Sequence, residues 1–449
     1  MADDAINELI SSVAHRGTAI GVSTPPEQIR HIYSRDRWYR RGVRHRSLLG
    51  RRVSVVIVAA LILAVFFAPL PHVSLFSHIV APETRPTTTA PTATTLPAAE
   101  VTPAAIWVVG ATTVWAWWTS GEAQGIERSN DAGHSWSNAT PPELDKQLGD
   151  HFIKGFYALG AEHAWVTYGG VGSSARQTIA SSSDGGRQWT VLGRSPSAYG
   201  CELQFATPAD GWCTVIGAAA GSESVQIYRT EDGGRHWRSV YNNGPGGKTA
   251  LGGLPFGCDK NVQFVNTTVG WAIFLCNGGL APLYETTDGG TTWVRRGVAA
   301  PSFPFIDGGF ADVPDLFGRT GAVGYTFHVG SSVRRSVVYV SANAGASWHA
   351  VAPPGAPAGW TVDTISPRIW RLVSGDHVLA TDDGGQTWRS ITSNVSLNPL
   401  YDYVLGTHVI DFVTEKTGWI VSTSSTGTRT LWRTTDGGST WSNVAVPGA

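Results

Sequence analysis

An eight-residue pattern, Ser/Thr-x-Asp-x-Gly-x-x-Trp, occurs seven times between residue 129 and the C-terminus of this 449-residue chain. Its residue types suit a hairpin turn, because a hydroxyl and a carboxylate accept backbone N–H groups that no strand reaches, and Gly adopts a positive φ. The Trp begins the next strand and can fold back over the turn. From first to seventh, the octads are SNDAGHSW, SSDGGRQW, TEDGGRHW, TTDGGTTW, SANAGASW, TDDGGQTW and TTDGGSTW.

The spacing of the octads predicts a repeated sheet. Successive copies lie 40 to 56 residues apart, a period that suits a four-stranded unit. We expect both the acidic and the Trp positions to be structural, because seven equivalent turns cannot all face one substrate. The acidic positions are Asp131, Asp184, Asp232, Asp288, Asn343, Asp383 and Asp436, and the Trp positions are Trp136, Trp189, Trp237, Trp293, Trp348, Trp388 and Trp441.

A second pattern precedes most octads: an apolar run, a short turn and a strand centred on Trp. The clearest examples are LQFATPADGWCTV, VQFVNTTVGWAIF and DFVTEKTGWIVS, and Trp115, Trp165 and Trp370 are predicted to take the same place in other repeats. The fifth repeat has no such Trp. With 53 Gly, 19 Trp and only 15% charged residues, the composition favours short strands and tight turns. The chain is therefore predicted to be all-β, with a seven-bladed β-propeller of four-stranded blades over residues 104–449.

The octad resembles the Asp-box, or BNR repeat, known from sialidases, sortilin-type receptors and photosystem II assembly factors. The assembly factors are the most similar, since they pair a Gly-Trp strand with a T-x-D-G-G-x-T-W box in seven successive blades. The resemblance covers roughly residues 104–447 and implies a seven-bladed propeller, but it says little about function. Because an apolar segment and a long linker precede the first repeat here, a photosystem partner is not implied.

Residues 53–70, VSVVIVAALILAVFFAPL, carry no charge and are long enough for a membrane-spanning helix. Seven Arg residues crowd their N-terminal side, so the positive-inside rule places residues 1–52 in the cytoplasm and the propeller outside. We expect a single-pass plasma-membrane protein with an uncleaved anchor. A cleaved signal peptide is the alternative, but a 52-residue leader is long and the small-residue cleavage pattern is absent. The seven residues are Arg37, Arg40, Arg41, Arg44, Arg46, Arg51 and Arg52.

Residues 71–103 are predicted to be a disordered extracytoplasmic linker, because their Pro, Thr and Ala residues cannot bury enough apolar surface to fold. Charge is distributed unevenly around the apolar segment. Residues 1–52 hold ten Arg, no Lys and five acidic residues, about +5, which leaves 23 basic and 29 acidic residues, about −6, for the rest. An acidic body disfavours nucleic acid as a partner.

All four Cys residues lie in the predicted propeller. Two hairpin turns, near residues 207 and 267, have one Cys pair placed symmetrically about each. Because opposed residues of an antiparallel hairpin are close enough for a disulfide, we predict Cys201–Cys213 and Cys258–Cys276. Buried free thiols are the alternative. No C-x-x-C spacing or H-E-x-x-H pair indicates a metal, and no cofactor is expected.

Asp-box propellers include sialidases, so a glycosidase is the enzymatic alternative. Such a site needs an Arg cluster for the substrate carboxylate, a nucleophile pair and an acidic proton donor. The Arg-Ile-Pro signature that opens these enzymes is missing, since Trp370 follows Arg368-Ile369. We therefore expect no catalytic residues. The scattered candidates are Arg176, Arg319, Tyr325, Arg334 and Asp307.

The sequence favours a membrane-anchored, non-catalytic scaffold that binds an envelope protein or glycan in assembly, sensing or adhesion. A sialidase-like glycosidase or carbohydrate-binding module with a site in the central funnel is the alternative. A third hypothesis is that ligand binding outside is relayed to the basic tail.

Overall fold

The computed structural model describes residues 102–446 apart from 121–122, 146–151, 170–175, 199, 218–223, 245–252, 256–258, 276–279, 312–313, 330–333, 352–359, 398–409 and 425–427. The predicted tail 1–52, membrane helix 53–70 and linker residues 71–101 lie outside the described residues, as does the predicted pair Cys258–Cys276. Among the residues that are described, no helix is long and apolar enough to cross a bilayer.

The first three sheets each contain four antiparallel strands. A four-residue helix, α1 (Pro142–Asp145), follows the first sheet. The strands are β1 (Thr102–Val108), β2 (Val114–Ser120), β3 (Ala123–Ser129), β4 (Ser137–Asn138), β5 (Phe152–Leu159), β6 (His163–Gly169), β7 (Thr178–Ser182), β8 (Thr190–Arg194), β9 (Glu202–Phe205), β10 (Gly211–Ile216), β11 (Val225–Thr230) and β12 (Arg238–Asn242).

The remaining sheets contain nine, three and four strands. Their strands are β13 (Asp259–Phe264), β14 (Gly270–Leu275), β15 (Leu283–Thr286), β16 (Val294–Val298), β17 (Asp307–Ala311), β18 (Asp315–Phe317), β19 (Thr320–His328), β20 (Arg334–Ser341), β21 (Ser347–Val351), β22 (Thr361–Thr364), β23 (Trp370–Thr381), β24 (Arg389–Leu397), β25 (Ile410–Phe412), β26 (Gly418–Thr423), β27 (Arg429–Thr434) and β28 (Trp441–Val444).

Each octad joins two strands of one group, and we number the groups after their octads. Groups 1 to 3 are β1–β4, β5–β8 and β9–β12, and groups 4 to 7 are β13–β16, β17–β21, β22–β24 and β25–β28. Groups 4 and 5 form one nine-stranded sheet because β16 pairs in parallel with β21 over two residue pairs. The fold is thus all-β and propeller-like, although its sheets are not uniformly four-stranded as the sequence predicted.

Strand β23 of group 6 folds back on itself. The guanidinium of Arg371 donates a 3.3 Å hydrogen bond to the carbonyl of Thr381. In one continuous strand these two residues would lie about 33 Å apart, far beyond the reach of a side chain. Gly375, with φ of 60°, and the exposed Asp376 and His377 mark the bend. Group 6 therefore supplies four strand segments although it is a three-stranded sheet.

The first strand begins earlier than predicted. Thr102 and Pro103, placed by the sequence in the linker, pair with Thr119 and Trp118 of β2. A register shift follows Pro103, which agrees with the rule that Pro, lacking an N–H donor, is tolerated at strand starts and bulges. The sheet therefore starts at Thr102.

The buried apolar residues form a cluster between each group and the next. One cluster, which we call the closure seam, joins the last group to the first: Trp419, Val421 and Leu431 pack against residues of β1 and β2. The partners on the first group are Ile106, Val114, Ala116 and Trp118. Since β1 and β28 each complete their own sheets, the ring closes by side-chain packing without strand exchange among the described residues.

The second strand of group 6 departs from the predicted register. The turn bonds Ile365 N–H to Ile369 O, as the group 3 turn bonds Ala206 N–H to Asp210 O. This alignment puts Trp370 at the Gly position and Arg371 at the Trp position, so the prediction for Trp370 was wrong by one residue. The sequence pattern shows where a Trp lies, whereas the hydrogen bonds of the turn set the register.

Arg371 is fully buried and joins two groups. Its guanidinium donates to Trp370 O at 2.9 Å, to Asp382 Oδ1 at 3.0 Å and to Glu415 O of group 7 at 2.8 Å. We expect Arg371→Ala to lower the free energy of unfolding by about 3 kcal/mol, because it leaves the buried carbonyls that Arg371 bonds without a donor. Urea unfolding of the purified protein measures this loss.

Arg389→Ala is the matched control, because Arg389 donates to the same Asp382 at 3.1 Å but is half exposed. Its expected cost is below about 1 kcal/mol. Equal costs for the two variants would contradict the interpretation of Arg371 as a buried link between groups.

Candidate functional site

The seven octads share one hydrogen-bond arrangement. The first-position hydroxyl donates to the third-position Oδ1 at 2.8–2.9 Å. It also accepts the fifth-position Gly N–H at 2.8–3.0 Å. The same Oδ1 accepts the seventh-position N–H at 2.8–3.0 Å, including in the octad that has Asn343. The structure thus places every acidic octad residue inside its own turn.

The octad Trp residues differ in their indole partners. Trp237, Trp293, Trp388 and Trp441 each donate Nε1–H to the Gly carbonyl three residues earlier, at 2.9–3.0 Å. Trp189 instead donates to Ala139 O of group 1 at 2.9 Å. In the first and fifth octads the indole nitrogens of Trp136 and Trp348 are buried without a partner among the described residues.

The first and fifth octads also carry Ala where the others carry Gly at the fourth position. Ala132 and Ala344 have φ of 64° and 57°, a left-handed conformation that strains a residue with a Cβ. In the third octad the carbonyl of the fourth-position Gly233 accepts the indole N–H of Trp165 from the preceding group, at 3.0 Å. In the fourth octad Gly289 accepts the indole N–H of Trp212 in the same way, also at 3.0 Å.

The corresponding indole nitrogens before the Ala octads, on Trp419 and Trp271, have no hydrogen-bond partner among the described residues. Of these four second-strand Trp residues, Trp165 and Trp212 donate a hydrogen bond to the Gly octad of the next group. Trp271 and Trp419, which precede the Ala octads, do not.

The octad carboxyls are unusually acidic. Hydrogen bonds from Ser135, by its hydroxyl and its N–H, hold the pKa of Asp131 at about 2. The hydroxyl and N–H of Thr387 do the same for Asp383, whose pKa is also about 2. A carboxyl held ionised in this way has no proton to donate near neutral pH and is a weak base.

One register position recurs in every group, on β18 in group 5 and on the first strand of the other six groups. We call these seven residues the inner positions. Each of them pairs with the second-strand residue that directly follows the Gly position of the Gly-Trp pattern. Their chemistry changes around the ring, from aromatic to amide to carboxylate. They are Trp107, Tyr157, Gln204, Gln263, Asp315, Asp363 and Asp411.

Inner positions contact the first strand of the next group. In groups 1 and 2, the Trp107 ring packs edge-on against Phe156 at 4.8 Å and the Tyr157 hydroxyl donates to Phe205 O at 3.0 Å. Gln204 Oε1 accepts the N–H of Phe264 at 2.7 Å. These first strands therefore lie side by side around the centre.

The carboxylates make the same kind of link. Asp363 Oδ2 accepts the N–H of Phe412 at 2.6 Å, and Asp315 Oδ2 accepts the hydroxyl of Thr364. Asp315 and Asp363 thus connect neighbouring groups.

A cavity of about 530 Å³ lies at the acidic side of this ring. Three carboxylates line it, those of Asp315, Asp363 and Asp411, together with the turn after β1. Among the described residues its lining contains no Lys, Arg or His, so this part of it is a negative, partly apolar opening suited to a cationic group. Its other lining residues are Val108, Val109, Gly110, Ala111, Thr364, Ile365, Ile410, Phe412 and Val413.

The scattered sialidase candidates do not line this cavity. Tyr325 is buried between groups 4 and 5 and donates its hydroxyl to Ala281 O at 3.2 Å. Arg176 and Arg319 are exposed in groups 2 and 5, and the side chains of Asp307 and Arg334 lie outside the described residues. Within the described part of the chain, no three His, Cys, Asp or Glu side chains are grouped to hold a metal.

Cys201 and Cys213 form a disulfide with a Cα–Cα distance of 5.1 Å. The two residues are not directly opposed, because Cys213 pairs with Leu203 and Cys201 precedes β9. The turn is centred one residue later than the sequence indicated, so the predicted partners were right and the predicted register was wrong.

No family model matches the sequence, and no curated protein matches it. Among solved structures, the chain is similar to YCF48 bound to D1 peptide, with 17% identity over 76% of this chain and 94% of that chain and a TM-score of 0.43. It is also similar to the GH74 xyloglucanase from Xanthomonas campestris, with 14% identity, 77% and 54% coverage and a TM-score of 0.47. It is also similar to a prolyl endopeptidase, with 12% identity over 78% of this chain and 51% of that chain and a TM-score of 0.49. The chain spans about half the length of the last two proteins.

Replacing the strained Ala of an octad with Gly should stabilise the fold. We expect Ala344→Gly to raise the free energy of unfolding by about 0.5–1 kcal/mol, because Gly adopts positive φ at no steric cost. Ala346→Gly, in the same octad but without a positive φ, is the control and should be neutral or destabilising. If urea unfolding shows Ala344→Gly to be no more stable than Ala346→Gly, the strain argument fails.

The low octad pKa values predict loss of stability in acid. A carboxyl with a depressed pKa stabilises the fold fully above its unfolded value, near 4, and this contribution disappears as pH falls towards 2. Asp383→Asn should therefore lose less stability than the wild type between pH 4 and pH 2, since Asn keeps the acceptor and removes the titration. Unfolding midpoints across this range measure the difference.

Asn343→Asp is the complementary variant, because Asn343 donates Nδ2–H to Ser347 Oγ at 2.9 Å in the place where the other octads have a carboxylate. It should add acid sensitivity where Asp383→Asn removes it. Identical pH dependence in both variants and the wild type would refute the assignment of these carboxyls as stabilising groups.

Proposed function

We propose that this chain is an Asp-box β-propeller of seven blades that acts as a non-catalytic binding scaffold. The blade count is supported by seven octads with one common hydrogen-bond arrangement and by apolar clusters between successive groups that return from group 7 to group 1. The extra pairing of β16 with β21 joins two blades, and the folded-back β23 supplies the fourth strand of the sixth.

The observation that carries the binding role is the contrast between the octads and the inner positions. The octads repeat one structure, whereas the inner positions change from aromatic to amide to carboxylate on that uniform frame. Such variation at one equivalent site is typical of repeat proteins that bind through one face. The acidic side of the ring, where the cavity lies, fits a cationic segment of an envelope protein or a cationic polymer.

We further propose that residues 53–70 anchor the chain in the plasma membrane and that residues 71–103 hold the propeller outside the cytoplasm. The uncharged 18-residue segment and the Arg residues before it support this orientation. The Cys201–Cys213 disulfide is compatible with it, since disulfides persist in oxidising compartments.

A glycan-acting enzyme is the second candidate, and one observation favours it. Asp363 and Asp411 come from neighbouring groups and line the same cavity, an arrangement that a hydrolase with two carboxylates requires. Against it, Asp363 already accepts the N–H of Phe412, which makes a carboxylate a weaker base. The scaffold is therefore the better supported function.

Binding can be tested with the full-length protein purified in detergent and exposed to solubilised envelope extract. We expect capture of a basic partner and at least a tenfold weaker affinity for the triple variant Asp315→Asn, Asp363→Asn, Asp411→Asn. Each Asn keeps an oxygen that can accept the inter-group hydrogen bonds while the three charges are removed, so folding should persist.

Asp376→Asn is the control, since Asp376 is an exposed carboxylate at the bend of β23. If the triple variant captures the partner as strongly as the wild type, the acidic cavity is not the binding site. Release of reducing sugar from xyloglucan or another polysaccharide, abolished in the triple variant, would instead support the enzyme.

A further inference from the structure

A buried carboxylate lies at the place where the ring closes. Glu127 of β3 is only 3% exposed, although Glu is rarely buried without a partner. Within the described part of the chain, its side chain has no hydrogen bond and no ion pair. Most other buried residues of group 1 are apolar or, like Ser129, hydrogen-bonded.

The strand register shows which neighbour Glu127 faces. It pairs with Ala116 of β2 and with Asn138 of β4, and directly opposed residues share one face of a sheet. Ala116 belongs to the closure seam, in which it packs with Trp419 and Leu431 of group 7. The adjacent Ile126 belongs to the cluster on the other face, towards group 2. Glu127 therefore points into the closure seam.

The strands that form this seam offer few charges. Strands β1, β2, β26 and β28 contain no charged residue, and β4 contains only Ser and Asn. The charges on β27 are Arg429 and Arg433. Arg429 Nη1 contacts Ala104 O at 3.5 Å, and the Arg433 guanidinium lies 5.4 Å from the centre of the Trp419 ring. Neither forms an ion pair with Glu127.

The charged groups next to Glu127 along the chain are committed elsewhere. Arg128, on the opposite face of β3, lies 3.6 Å from the carboxylate of Glu162 in group 2. In the first octad, Asp131 bonds to Ser135, and Nδ1 of His134 lies 2.5 Å from Asp131 O. Ionised Glu127 would thus be an uncompensated charge inside an apolar seam, whereas the neutral carboxyl costs far less to bury there.

We propose that Glu127 makes closure of the ring sensitive to pH: the neutral carboxyl keeps the seam between groups 7 and 1 closed, and its ionisation loosens that seam. Other inter-group clusters contain no comparable unpaired carboxyl among their described residues. The proposal goes beyond the binding role, because it concerns the conformation of the ring and needs no ligand.

The direction of the effect follows from burial, which raises the pKa of Glu127 to about 7. An opened seam would return the carboxyl to water and to its ordinary pKa near 4.5. Between these two values the closed state retains a proton that the open state has released, so closure weakens as pH rises through this window and levels off above 7. From pH 5.5 to pH 8.5 the opening equilibrium should increase about 30-fold.

Hydrogen–deuterium exchange of the full-length protein in detergent tests this, with rates corrected for the intrinsic pH dependence of exchange. Peptides covering 114–129 and 418–434 report on the seam, and peptides covering 202–216 of group 3 serve as the internal reference. We expect the seam peptides to lose protection at pH 8.5 relative to the reference. Equal changes in seam and reference peptides would overturn the proposal.

Glu127→Gln should remove the additional exchange at pH 8.5, because the amide is neutral at every pH. Glu143→Gln is the control, since Glu143 is exposed on α1 in the same group and should leave the pH response intact. Retention of the response in Glu127→Gln would refute the role of Glu127. If that variant fails to fold, the wild-type comparison between seam and reference peptides still decides the outcome.

Discussion

One hydroxyl in each repeat organises the turn on which the sheet depends. The Ser or Thr that ends the third strand donates to the carboxyl oxygen two residues later and accepts the N–H of the Gly two residues beyond it. This pair of bonds satisfies backbone groups that the strands leave unpaired at the turn and aims the octad Trp into the core. Asn343 performs the same task without a charge, so the oxygen rather than the charge is the essential feature. Carboxylates held in this way serve the turn itself, because their oxygens are already engaged by the hydroxyl and N–H groups of the same octad.

Local chemistry made the turns and the Trp-containing strands predictable, whereas long-range pairing did not show in the sequence. The octads carry their own hydrogen-bond partners within eight residues, so their conformation follows from their letters. The pairing of β16 with β21 depends on two distant edge strands that happen to meet. Strand register was predictable only where the length of the turn was known. Trp370 was assigned to the Trp position because it is a Trp, but it lies one residue before that position. The hairpin that holds Cys213 is centred one residue later than predicted, so Cys201 is not directly opposite it.

The inner positions could not have been found by searching for motifs, because they are defined by what they oppose. Gln204 lies opposite Trp212, Asp363 lies opposite Arg371 and Asp411 lies opposite Trp419. Only the register makes these positions equivalent and shows that aromatic, amide and carboxylate groups follow one another around the centre. Because several of them also bond to the next group, the same side chains that present a surface also maintain the ring.

The way the ring closes explains why a single buried carboxyl can matter. Groups 4 and 5 are joined by backbone hydrogen bonds between strands, but no strand pairing among the described residues joins group 7 to group 1. The strength of the closure seam therefore rests mainly on apolar packing, to which a long side-chain contact from Arg429 to Ala104 is added. Apolar packing is lost when a charge must be accommodated, because water has to enter to solvate it. A carboxyl placed in this seam changes the stability of the whole ring, whereas the same carboxyl on an octad tip would change only one turn.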